Sequence, residues 1–128
     1  MALLLDTHTL LWWATDDTHL SDPVRDLIQN EDNRILVSAA SAWEITTKVR
    51  LGKLPQADVL INNLADYLYQ QNFESLSITV HHARAAGRLP GPHRDPFDRM
   101  LIAQAICEDL AILGLDTAFD DYPVTRIW

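Results

Sequence analysis

The chain has 128 residues, which suits one domain spanning residues 1–128 and leaves no room for a second of ordinary size. With 48% hydrophobic and 22% charged residues, and only four glycines and six prolines, it is composed to bury a core rather than to stay unfolded. Its net charge of −8 excludes a protein that grips nucleic acid through a broad basic surface, but not an enzyme that meets a few phosphates through a metal.

Taken in chain order, residues 2–6 read as a first strand, with Leu3-Leu4-Leu5 running directly into Asp6. The segment lacks a basic leader region and Asp6 interrupts its apolar run. No stretch approaches the ~18 apolar residues of a membrane span, so the expected setting is cytoplasmic, with no membrane contact. The single cysteine, Cys107, cannot form an intramolecular disulfide and fits a reducing compartment.

Thr7 to Ala14 reads as a first helix, and Ser21-Asp22-Pro23 starts a second with a capping side chain followed by proline. Ile35-Leu36-Val37 marks a strand over 34–37. Ser41-Ala42-Trp43-Glu44 opens a helix running to about Leu51, with Gly52 closing it. Leu60, Ile61, Leu64 and Leu68 give Asp58 to Gln71 a helical stripe. A third strand over 73–78 precedes a short helix from Val80 to Arg88, which ends in Leu89-Pro90-Gly91-Pro92. Asp95-Pro96 then starts a helix reaching Asp109. Residues 111–115 form a fourth strand and 124–128 a fifth at the edge. Strands alternating with helices indicate an α/β sandwich around a mostly parallel sheet.

Four carboxylates fall on one rim of such a fold. Asp6 and Asp116 each end an apolar strand, whereas Glu44 and Asp98 sit in the first turns of helices that follow strands or loops. Two unit charges ~5 Å apart repel by roughly 3 kcal/mol at an effective dielectric of 20, so such a group persists only with a bound cation or with raised pKa values. Hard oxygen donors suit Mg²⁺ or Mn²⁺, and no Cys/His spacing points to zinc. Local roles compete at some positions. Glu44 also completes a capping box with Ser41 and lies four before Lys48, and Asp95 is explained as an N-cap before Pro96. Asp120-Asp121 reads as a solvated turn, and His81, His82 and His93 as surface or capping residues.

These stretches resemble the PIN-domain family, in particular its VapC-type toxins. The resemblance rests on Leu3-Leu4-Leu5-Asp6-Thr7-His8, on Ser38 to Ile45, on Leu115-Asp116, and on the run His93-Arg94-Asp95-Pro96-Phe97-Asp98-Arg99-Met100-Leu101-Ile102-Ala103-Gln104-Ala105, which is most specific from Asp95 onward. It implies a three-layer α/β/α sandwich with strand order 3-2-1-4-5, which would set Asp6 beside Asp116 at the switch point. It also implies a Mg²⁺- or Mn²⁺-dependent ribonuclease holding one or two ions with Asp6, Asp98 and Asp116, and with Glu44 directly or through water. Asp98 is preferred to Asp95 as third ligand because Asp95 has the cap role, and both stay open.

On this reading Thr7, Arg94 and Arg99 are the residues expected to meet the RNA backbone, with Arg99 alternatively pairing with Asp95. The expected partners are the RNA substrate, a cognate antitoxin that blocks the site, and a second copy in a homodimer. The competing reading is a silent binding module that offers Trp12, Trp13 and Trp43 to an apolar helix of a partner protein. A phosphatase using Asp6 as nucleophile would want a second acid two residues on, where the chain has His8.

Overall fold

The computed structural model describes residues 1–128. Its sheet has five parallel strands, β1 (Ala2–Leu5), β2 (Arg34–Ser38), β3 (Glu74–Leu76), β4 (Ala111–Leu113) and β5 (Arg126–Ile127), in the order β3-β2-β1-β4-β5. Consecutive leucines work here because a central parallel strand is covered on both faces and its side chains alternate. Leu3 and Leu5 pack with Ile35, Val37 and Leu113 on one side. Leu4, Leu36 and Ile112 pack on the other with Leu101, Ile102, Ala105 and Phe119.

The helices are α1 (Thr7–Ala14), α2 (Asp22–Gln29), α3 (Ala39–Arg50), α4 (Asp58–Asn62), α5 (Leu64–Gln70), α6 (Val80–Arg88) and α7 (Pro96–Glu108). Leu10, Val24, Ile28 and Leu68 bring α1, α2 and α5 to the first face, and α7 covers the second. The order reverses at the β1/β4 pair, so the crevice for a ligand lies outside the carboxyl ends of those two strands.

Two expected elements are corrected. Helix α3 begins at Ala39, straight out of β2, because the Ser38 hydroxyl accepts from the Ala40 N–H and supplies the cap expected of Ser41. The helix expected over 58–71 divides at Asn63. There the side-chain amide donates to the Val59 carbonyl, and the backbone leaves helical geometry at φ −123°. The aromatic surface also differs from expectation. Trp12 packs against His8, His19 and Trp128, and Trp13 donates its indole N–H to Gln71 while packing on Phe73. Of the three tryptophans, only Trp43 is largely exposed, at 62%.

Candidate active site

Asp6 stands at the centre of the acid rim. It extends the β1/β4 ladder by donating its N–H to the Leu113 carbonyl, and its carboxylate caps α1 by accepting from the Thr7 N–H at 2.8 Å. The residue is only 5% exposed. Burial, followed by the nearby charges of Asp98, Glu44 and Asp116, pushes its carboxyl up to about 7, against the opposing pull of the Thr7 N–H. The four acids therefore share one field.

Their influence on Asp6 is unequal. Asp98 acts on Asp6 more strongly than Glu44 does, and Asp116 acts least of the three. The register places Gly114, not Asp116, opposite Asp6, and a β-carbon at Gly114 would lie 3.2 Å from the Asp6 β-carbon. Asp116 comes two residues later and is exposed, capping a 3₁₀ turn over 117–121 through the Ala118 N–H.

Glu44 points inward from the second turn of α3. Its Oε2 accepts from Lys48 Nζ at 2.6 Å, while its Oε1 is buried with no hydrogen-bond partner. That contact holds the Lys48 ammonium above the ordinary lysine range. An orphaned carboxylate oxygen in a buried acidic cluster is the chemistry a hard cation fits. The side chains are not, however, drawn into a ready coordination shell: no three of them converge closely enough to enclose an ion.

Asp95 and Asp98 take separate tasks at the start of α7. Asp95 Oδ1 accepts from the Phe97 and Asp98 N–H groups, the expected N-cap. Asp98 faces the acids, and its Oδ2 meets His93 Nε2 at 2.7 Å. Burial raises the Asp98 carboxyl, the His93 hydrogen bond opposes that, and the charges of Asp95 and Glu44 add to it.

The residues expected to meet RNA divide differently. Arg94 is exposed, with its side chain in no hydrogen bond or ion pair. Thr7 is 3% exposed and its hydroxyl donates to Ser41 Oγ at 2.9 Å, so the first turn of α1 turns it into the fold and away from an incoming phosphate. Arg99 does not pair with Asp95 and is not free for a phosphate. Its guanidinium donates to the carbonyls of Ala86, Leu89 and His93. Asp120 is held by both oxygens on Arg126, and so is not simply solvated. His82 caps α6 as expected but is buried, with Nε2 on Glu108. His93 and Gly114 were not legible as site residues, since neither obeys a helical or strand periodicity relative to the acid it touches.

No helix is long and apolar enough to cross a membrane. The PIN domain model matches residues 3–124. Among curated proteins, the chain is 42% identical over 64 residues to Ribonuclease VapC16 of Mycobacterium tuberculosis, covering 50% of this chain and 44% of that protein. It is also 31% identical over 101 residues to the uncharacterized protein CG7065 of Drosophila melanogaster, covering 70% of this chain and 8% of that protein. The chain thus spans less than half the length of either relative. The fold matches the crystal structure of VapBC2 from Rickettsia felis bound to a DNA fragment from their promoter, with a TM-score of 0.73 at 17% identity, covering 99% of this chain and 98% of the other. The match across nearly the whole chain, on a sheet of order 3-2-1-4-5 with its acids at the switch point, places this chain in the PIN-domain family.

Proposed function

We propose that the chain is a Mg²⁺- or Mn²⁺-dependent ribonuclease of the VapC type, a single domain over 1–128 that acts in the cytoplasm. The observation that carries this reading is the pairing of a buried Asp6 with an orphaned Glu44 Oε1 inside one acidic field. Asp6, Asp98 and Asp116 would hold one or two ions, with Glu44 directly or through water. A bound divalent ion supplies charge neutralisation, an activated water and stabilisation of the leaving oxygen during phosphodiester hydrolysis. The chain's own residues do the rest. Asp6 presents a buried carboxylate and Asp98 a half-buried one, Lys48 neutralises one oxygen of Glu44, and exposed Arg94 would hold a phosphate of the RNA backbone.

Incubating the purified chain with RNA in Mg²⁺, in Mn²⁺ and in chelator tests this reading. Cleavage should need the metal and vanish in Asp6→Asn, and undiminished cleavage by that variant sinks it. The partners fitting this reading are an antitoxin and a second copy of the chain. An acidic body of net charge −8 suits a basic partner. The groove of about 540 Å³ between α1, the 55–57 turn, α4 and α5, lined by Leu11, Trp12, Leu54, Leu60 and Tyr67, suits an apolar helix. The same groove favours the alternative of a catalytically silent binding module, which metal-stimulated RNA cleavage by the isolated chain would exclude.

A further inference from the structure

The segment 89–95, between α6 and α7, is built more firmly than a connector needs to be. Pro90 and Pro92 fix two of its φ angles, and Gly91 takes φ +103°, closed to side chains by both strain and space. A β-carbon at Gly91 would come within 2.8 Å of the Tyr122 hydroxyl oxygen. That hydroxyl accepts from the His93 N–H at 3.2 Å, from a tyrosine that is itself buried. Arg99 ties the same segment from inside, its guanidinium donating to the carbonyls of Ala86, Leu89 and His93. His93 is therefore gripped on both backbone polar groups. What this grip presents is one imidazole, whose Nε2 lies 2.7 Å from Asp98 Oδ2.

We infer that His93 is a positioning residue of the acid centre: its Nε2–H fixes the Asp98 carboxylate, occupying Oδ2 and leaving Oδ1 free of any hydrogen bond to receive a divalent cation. Asp98 Oδ2 has no other hydrogen-bond donor in the chain, so without His93 no hydrogen bond sets the orientation of the carboxylate. Arg99, Tyr122 and Gly91 act through His93 and not on the cation. The inference rests on the metal reading above and assigns His93 a role in it.

Mn²⁺ binding to the purified chain, measured by calorimetry without RNA, decides the matter alongside melting in chelator and steady-state cleavage. Glutamine carries its amide N–H near the position of Nε2, whereas asparagine reaches only that of Nδ1. His93→Ala and His93→Asn should lose about tenfold in Mn²⁺ affinity while His93→Gln keeps most of it, the scale expected for a residue that orients a metal ligand. Melting in chelator should be alike in all three, and kcat should fall with affinity rather than KM alone rising. If the alanine variant does not fold, the Gln/Asn pair still decides. Equal Mn²⁺ affinity in Gln and Asn overturns the role of His93, as does unchanged affinity with a raised KM for RNA, which would make His93 a substrate contact. An unmodified chain that binds no Mn²⁺ overturns the metal reading itself.

Discussion

The acid centre makes a prediction about stability that is independent of catalysis. Substituting Asp6→Asn keeps a capping oxygen for the Thr7 N–H and nearly the same volume, but removes a buried group that titrates near 7. In the unfolded chain the carboxyl ionises near its ordinary 3.8. Below that value both states hold the proton and Asp6 has no effect on stability. Between 3.8 and 7 the unfolded state gives up the proton and the folded state does not, so stability falls as pH rises; above 7 the loss is complete. About three units correspond to ~4 kcal/mol in full, of which roughly 2–3 kcal/mol develops between pH 5 and 8. The assay is urea denaturation in chelator, following tryptophan fluorescence, for both proteins across that range. The variant should gain on the parent by about that amount toward pH 8, or on the order of 10 °C in melting temperature. Groups that do not couple to Asp6 cancel in the difference, whereas Asp98, Glu44 and Asp116 do not. Saturating Mn²⁺ at neutral pH should then stabilise the parent by ~3 kcal/mol at a hundredfold excess over its dissociation constant, and leave the variant unmoved. A gap that is flat or closes with rising pH would refute the idea that Asp6 holds a proton against its neighbours.

Two further substitutions probe the same centre. Gly114→Ala drives a methyl group to 3.2 Å from the Asp6 β-carbon and from Phe119 Cε2, both buried. It should cost about 1–3 kcal/mol by urea denaturation and depress cleavage by displacing Asp6. Asp95→Asn should retain the α7 cap, and with it stability and most of the Mn²⁺ affinity, whereas Asp98→Asn should abolish metal-dependent cleavage with the fold intact. The opposite pattern would assign the third ligand position to Asp95.

How far the sequence could be read depends on where each signal resides. The alternation of Leu3, Leu4 and Leu5 across a doubly covered strand, the Ser21 and Asp95 caps and the Pro90/Pro92 break are local, and the structure carries each of them. The strand order came from the family resemblance and not from any local pattern. The division at Asn63 was invisible, because a side-chain amide competing for one carbonyl does not disturb the apolar stripe of Leu60, Ile61, Leu64 and Leu68. Ser38 rather than Ser41 caps α3 because β2 runs into the helix with no loop, and a capping-box pattern cannot announce that. Within the site, the carboxylates were legible as strand and helix termini. Their ranking was not, since Gly114 faces Asp6 by register and Asp98 reaches it from a helix more than ninety positions away. Arg99 shows the same limit. Its charge suggested an anion, but three backbone carbonyls met it first.

The partners of the four acids account for how the fold tolerates such a centre. Each carboxylate has one oxygen engaged by the chain itself: Asp6 by the Thr7 N–H, Glu44 by Lys48, Asp98 by His93 and Asp116 by the Ala118 N–H. Of those donors only Lys48 brings a permanent unit charge, which leaves the cluster short of positive charge. The deficit falls on a buried member that feels the charges of all three others, and Asp6 responds by keeping its proton to about 7. On the proposed metal reading, a proton on Asp6 and a divalent cation among the acids are two ways of supplying the same missing charge, and binding the cation would displace that proton. The fold tolerates the arrangement because the hydrogen bonds hold the carboxylates in place, while Glu44 Oε1 stays buried without a partner.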